Sequence, residues 1–154
     1  MYDEIIIYEN WMKTALKQAE TSAKIGEVPI GAMIVHKGEI IAMDHNRTIL
    51  DNDPTSHAEL NVIRQACIEI DNYRLVESTL VVTLEPCAMC YGAIIQSRIS
   101  TLIFGAYDLK TGVCGSCLSL QDSDCFNHRP KIIGGILEDK CSLVLKNFFK
   151  EKRV

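Results

Sequence analysis

Residues 80 to 90 read Leu80-Val81-Val82-Thr83-Leu84-Glu85-Pro86-Cys87-Ala88-Met89-Cys90. Leu80 to Leu84 is a short apolar run of the kind that forms a buried strand. It stops at Pro86, a residue favoured in the first turn of a helix. Ala88, Met89, Ala93 and Ile94 then fit a helix from that point. A buried strand that passes directly into a helix is a building unit of an α/β fold.

Working outward, Asp53-Pro54-Thr55-Ser56 supplies a turn and N-cap residues, and Leu60, Ile63, Cys67 and Ile70 mark one face of a preceding helix. Upstream, Ile30 to Val35 and Ile40 to Met43 form a hairpin pattern joined at Lys37-Gly38. Trp11, Met12, Ala15, Leu16 and Ala19 predict a first helix that ends before Gly26. Downstream, Ile99 to Phe104 reads as a strand closed by Gly105, and Ile132 to Leu137 as a last strand. Cys141, Leu145 and Phe148 line a terminal helix. Residues 106 to 129 are rich in Gly, Ser, Asp and Asn, and connections of that length are often functional. The order predicts helices on both faces of a mixed sheet. With no repeat and no linker-like stretch, residues 1–154 read as a single domain.

Composition narrows the function classes. With 47% hydrophobic and 23% charged residues, the 154-residue chain can bury a core. No run approaches the roughly 20 apolar residues of a membrane helix. Met1-Tyr2-Asp3-Glu4 puts acids where a secretory signal carries bases, so a soluble cytoplasmic protein is expected. The net charge of −4 argues against a protein that coats nucleic acid. It leaves room for a local basic patch, and residues 129–154 hold seven bases against three acids. Seven cysteines, an odd number, point to reduced thiols and a metal rather than a disulfide framework.

Two short stretches carry chemistry: His57-Ala58-Glu59 and Pro86-Cys87-Ala88-Met89-Cys90, each at the predicted start of a helix. Cys87 and Cys90 are three apart and share a helix face, so both sulfurs can reach one ion. Helix N-terminus and metal both favour the thiolate. Two thiolates and an imidazole suit zinc, and three protein ligands leave a fourth position for water. Glu59, two residues from His57, is placed to move protons without being a ligand. This order, H-x-E followed by P-C-x-x-C, is the signature of the zinc deaminases. A competing reading pairs Cys87 and Cys90 with Cys114 and Cys117 in a four-cysteine zinc site, or makes the second pair redox-active. It leaves His57 and Glu59 unexplained.

Beyond that signature the chain resembles the bacterial tRNA-specific adenosine deaminases, within the zinc-dependent cytidine and deoxycytidylate deaminase superfamily. The resemblance runs through Glu27-Val28-Pro29-Ile30-Gly31-Ala32, Asn46-Arg47, Asp53-Pro54-Thr55, Asn72-Tyr73-Arg74-Leu75 and Thr83-Leu84-Glu85-Pro86-Cys87. It continues in Phe104-Gly105-Ala106, Lys110-Thr111-Gly112, Asn127-His128-Arg129 and Phe148-Phe149, essentially the whole chain. It implies a cytidine deaminase-like fold: a three-layer α-β-α sandwich with a mixed five-stranded sheet.

For the site, the resemblance implies one zinc per subunit on His57, Cys87 and Cys90, with Glu59 as proton shuttle. Asn46 and the Ala58 amide would hold the base, with Ile30 lining the pocket, and Asp108, Lys110 and Phe149 would meet a tRNA anticodon stem-loop. It also implies a homodimer. His45 and Thr48 depart from the family, which commonly carries Trp and Pro there. Asn46 could instead serve a strand end, and Asp108 and Lys110 an ordinary solvated loop. The alternative substrate class is a free nucleobase, nucleoside or nucleotide.

Overall fold

The computed structural model describes residues 2–153. Its elements in chain order are α1 (Tyr2–Lys24), β1 (Gly31–His36), β2 (Glu39–His45), α2 (Ala58–Glu69), β3 (Ser78–Leu84), α3 (Ala88–Gln96), β4 (Thr101–Ala106), β5 (Lys131–Ile133) and α4 (Glu138–Lys152). The five strands form one sheet in the order β2-β1-β3-β4-β5. β1 pairs antiparallel with β2 and β3, whereas β3–β4 and β4–β5 are parallel. The sheet is mixed and five-stranded, as the resemblance implied.

Strand periodicity divides the core into two layers. Ala32, Ile34, Leu80, Val82, Leu102 and Phe104 point to one face, where they pack with Val62 and Ala66 of α2 and with Tyr91 and Ile94 of α3. Their neighbours Met33, Val35, Val81 and Ile103 point to the other, against Met12, Ala15 and Leu16 of α1 and Cys141 of α4. Alternate residues of a strand face opposite sides. Runs such as Leu80–Leu84 are therefore apolar throughout because both faces are covered.

Lys37 and Gly38 both have positive φ, 51° and 84°, which is the two-residue hairpin turn whose twist matches the strands it joins. At Gly31, α1 crosses so closely that a Cβ would collide with the carbonyl of Ala15 and lie 2.6 Å from the amide nitrogen of Ala19.

Several boundaries differ from the sequence expectation, three of them with a clear physical reason. α1 begins at Tyr2, because its first two turns are held by helical backbone rather than by packing: Ile5, Ile6 and Ile7 are all exposed. β5 is only three residues long. Gly134-Gly135 and the left-handed Leu137 (φ 52°) turn the chain out of the sheet and into α4, so Ile136 and Leu137 are not strand residues. Ile99 likewise precedes β4 and packs as a loop residue.

Candidate active site

The site forms where α2 and α3 begin, at the end of β3. His57 is the N-cap of α2 and Cys87 the N-cap of α3, both with extended backbone (ψ 153° and 175°). Neither side chain caps its own helix, so both are free to project toward a common point. Cys90, one turn into α3, is buried and completes the group.

His57 Nδ1 lies 3.7 Å from Cys87 Sγ and 3.5 Å from Cys90 Sγ. Among the described residues, these three are the group of ligating side chains whose donor atoms lie within 4.8 Å of one another. Zinc–sulfur bonds of about 2.3 Å and zinc–nitrogen bonds of about 2.1 Å at tetrahedral angles put the nitrogen about 3.6 Å from each sulfur. The donor triangle fits zinc in both chemistry and size.

The proton distribution within this triangle follows from its geometry. Hydrogen bonds from Cys90 and then His57 pull the Cys87 thiol down to about 4, making it a thiolate. His57 is held above its ordinary value mainly by its bond to Cys87. Cys90 is pushed upward because it donates to Cys87 and is buried.

Glu59 is 4% exposed, and burial pushes its carboxyl up to about 7. A carboxyl poised near neutrality can both take and give a proton.

A cleft of about 530 Å³ gathers Ile30, Asp108, Lys110 and Phe149, four of the residues singled out in the sequence, with Leu84, Tyr107 and Leu145 among its other walls. Phe149 is 44% exposed, while Phe148 is partly buried and meets it edge to face at 5.4 Å between ring centroids. Asn46 is buried, and its amide donates to the Ile30 carbonyl at 3.0 Å, which ties it to a residue of the cleft wall. Ala58 is the first residue of α2, where the backbone N–H has no acceptor within the helix.

Asp108, on the wall of the cleft, is also engaged within its own loop. Its carboxylate accepts from the amides of Lys110 (3.0 Å) and Thr111 (3.2 Å) and from the Thr111 hydroxyl (2.8 Å). The carboxylate folds its own loop.

The four-cysteine arrangement does not form: among the described residues, neither Cys114 nor Cys117 joins Cys87 and Cys90. Cys117 is exposed, and Cys114 is buried with its thiol pushed up to about 12. His45 is buried, with Nδ1 2.9 Å from the Asn46 carbonyl oxygen. His128 Nε2 lies 2.7 Å from the Ile99 carbonyl oxygen.

Sequence reasoning passed over two buried glutamates. Glu27 accepts from the amides of Ile49 and Leu50 at 3.0 Å, holding the loop after Asn46. Glu85 accepts from Asp108, Cys114 and Ser116.

A family profile described as MafB19-like deaminase matches residues 7–153. The chain is 44% identical to the tRNA-specific adenosine deaminase of Bacillus subtilis (strain 168), covering 94% of this chain and 90% of that protein. It is 47% identical to the tRNA-specific adenosine deaminase of Buchnera aphidicola subsp. Schizaphis graminum (strain Sg), covering 93% and 94%. A structure solved in biochemical and structural studies of A-to-I editing by tRNA:A34 deaminases superposes with a TM-score of 0.86 at 40% identity, covering 88% of this chain and 99% of that one. Its fold, its His-Cys-Cys triangle and these likenesses together mean that the chain belongs to the deaminase family of the bacterial tRNA-specific adenosine deaminases.

Proposed function

We propose that this protein is a tRNA-specific adenosine deaminase, converting the wobble adenosine of an anticodon loop to inosine with uptake of water and release of ammonia. The observation that carries the reading is the donor triangle of His57 Nδ1, Cys87 Sγ and Cys90 Sγ beside the buried carboxyl of Glu59.

His57, Cys87 and Cys90 would hold one zinc ion. When bound, zinc supplies Lewis acidity that lets water lose a proton near neutral pH. Glu59 would take that proton and deliver it to N1 of the adenine ring as oxygen adds at C6, then take the second proton from the new C6 hydroxyl and pass it to the departing amine, leaving inosine and ammonia. Its carboxyl near 7 suits each transfer. Asn46 and the Ala58 amide hold the base edge against Ile30.

The substrate class rests on the cleft and on the relatives' names. Phe149 and Leu145 are shared between the first cleft and a second, about 390 Å³, lined also by Lys146, Lys150 and Arg153. An exposed aromatic ring beside three cations suits unstacked bases and phosphates. Anticodon-loop bases can be splayed into such a pocket without opening a duplex. The protein works as a homodimer in the cytoplasm; no helix among its described residues is long and apolar enough to cross a membrane.

The test uses an anticodon stem-loop RNA bearing a wobble adenosine and, separately, free adenosine, cytidine and guanine. Inosine confined to the RNA supports the reading. Turnover confined to the free compounds contradicts it. Light scattering at twice the monomer mass tests the dimer.

A further inference from the structure

We infer that Glu85 is a positioning residue for the reaction: its buried carboxylate ties the loop of residues 108–116 to the turn carrying Cys87, and so sets the wall of the substrate cleft. The inference rests on the deaminase reading above.

Glu85 is 2% exposed and stands two residues before Cys87. A buried carboxylate is costly unless its oxygens are satisfied. Here Oε1 accepts from the amide of Asp108 at 3.1 Å and from the Ser116 hydroxyl. Oε2 accepts from the amides of Cys114 at 2.9 Å and Ser116 at 3.2 Å. Among the described residues, no Lys or Arg forms an ion pair with it. The charge is met by loop groups alone, the geometry of a backbone anion nest.

Two further bonds flank the carboxylate. The Glu85 amide donates to the Ala106 carbonyl at 2.9 Å, and the Pro86 carbonyl accepts from Val113 at 3.1 Å. The loop has little regular structure of its own, a single bridge between Cys114 and Ser119. At Gly112 it runs so close to the carboxylate that a Cβ would lie 2.6 Å from Oε2.

The outer side of the same loop presents Leu109, Lys110 and Thr111 to the cleft that Ile30 and Phe149 complete. One side chain thus lies between the metal-binding turn and the surface offered to RNA. Glu85 acts through the loop, by holding Lys110 and its neighbours where flanking nucleotides can meet them. An amide at this position would aim an NH2 group at backbone donors, and the loop would lose its support. A purely structural carboxylate would instead affect zinc content, kcat and KM together.

The experiment compares zinc-loaded wild type, Glu85→Gln and Ser116→Ala. It reads zinc content, steady-state kinetics on the wobble-adenosine stem-loop, and hydrogen exchange at the amides of Asp108, Cys114 and Ser116. Hydrogen bonds to a charged acceptor are among the stronger ones, so KM is expected to rise about tenfold in Glu85→Gln and about threefold in Ser116→Ala. Zinc should stay at one per chain, kcat should fall by less than KM rises, and the three loop amides should exchange at least about tenfold faster while Val81 and Val82 stay protected. Loss of zinc, or equal losses in kcat and kcat/KM with KM unmoved, overturns the inference. If Glu85→Gln does not fold, Ser116→Ala decides, and unchanged KM with unchanged exchange overturns it. A wild-type protein inert on RNA sinks the functional reading alone; absent acceleration at the loop amides then overturns the role of Glu85 independently.

Discussion

The imidazole Nδ1 of His57 stands 3.5 Å from Sγ of Cys90, although 33 residues separate them in the chain. What brings them together is the start of α2 meeting the start of α3 at the end of β3, with each helix leaving its capping side chain free. The donor set is thus built by the sheet, not by a local motif. Removal of any one donor should release zinc: His57→Ala, Cys87→Ala and Cys90→Ala are expected to purify with little metal, and Cys114→Ala with a full complement. Metal analysis of the four variants decides, and zinc kept by His57→Ala but lost from Cys114→Ala would restore the four-cysteine site.

In the proposed mechanism Glu59 moves protons without ligating the metal. Glu59→Gln should keep its zinc and lose turnover by about 10²–10⁴-fold, the usual contribution of a positioned acid-base group. Metal analysis paired with inosine formation checks this. Metal loss in that variant would make Glu59 a structural residue.

Cys87 should betray its thiolate once zinc is stripped. Its hydrogen bonds from Cys90 and His57 pull the thiol down to about 4, so the reactive form is present above that pH and lost as pH falls through it. In chelator-treated protein, iodoacetamide is expected to label Cys87 readily at pH 6 and much more slowly at pH 3. Cys114, pushed up to about 12 by burial, should remain unlabelled, and added zinc should protect Cys87. Peptide mapping reads all three. Equal labelling of Cys87 and Cys114 at pH 6 would contradict the proton distribution.

How much of this was legible beforehand follows from the range of each signal. The hairpin, the helix starts at His57 and Cys87, and the identity of the candidate donors His57, Cys87 and Cys90 were all written in local spacing, turn chemistry and apolar periodicity. The first turns of α1 were not, because Ile5, Ile6 and Ile7 are exposed and break the amphipathic pattern that marked Trp11 to Ala19. β5 was overextended because Ile136 and Leu137 are apolar for a different reason: they pack against the α1–α4 layer after Gly134-Gly135 has left the sheet. Glu27 and Glu85 stayed hidden because a carboxylate's burial depends on loops 22 and 23 or more residues away, which composition cannot register. Asp108 was visible as a loop residue, yet its role in folding that loop needed the hydrogen bonds to Lys110 and Thr111.

The close crossing at Gly31 predicts a stability effect far from the chemistry. Any Cβ there must push α1 away from the sheet, since the obstacles are the carbonyl of Ala15 and the amide of Ala19 rather than flexible side chains. Overpacking of this kind costs about 1–3 kcal/mol. The Tm of Gly31→Ala should therefore fall by roughly 2–12 °C, at about 2–4 °C per kcal/mol for this size. An unchanged Tm would mean that α1 is less firmly seated than its contacts imply.

On α4, Lys146 and Lys150 flank the exposed ring of Phe149. Lys146→Glu should weaken stem-loop binding and flatten its dependence on salt by about one unit of slope, as expected when a phosphate contact is lost. Phe149→Ala should weaken binding with the salt slope unchanged, because stacking carries no counterion release. Titrations at several salt concentrations separate the two, and matching slope changes would argue against the assigned roles.

The claim on which the account stands is an open, mixed-donor metal site. X-ray absorption at the zinc edge of the purified protein tests it directly. The predicted spectrum shows two sulfur scatterers near 2.3 Å and two light-atom scatterers near 2.0–2.1 Å, one from His57 and one from solvent, consistent with zinc bond lengths of about those values. A shell of three or four sulfurs, or no zinc at all after metal-replete expression, would contradict it.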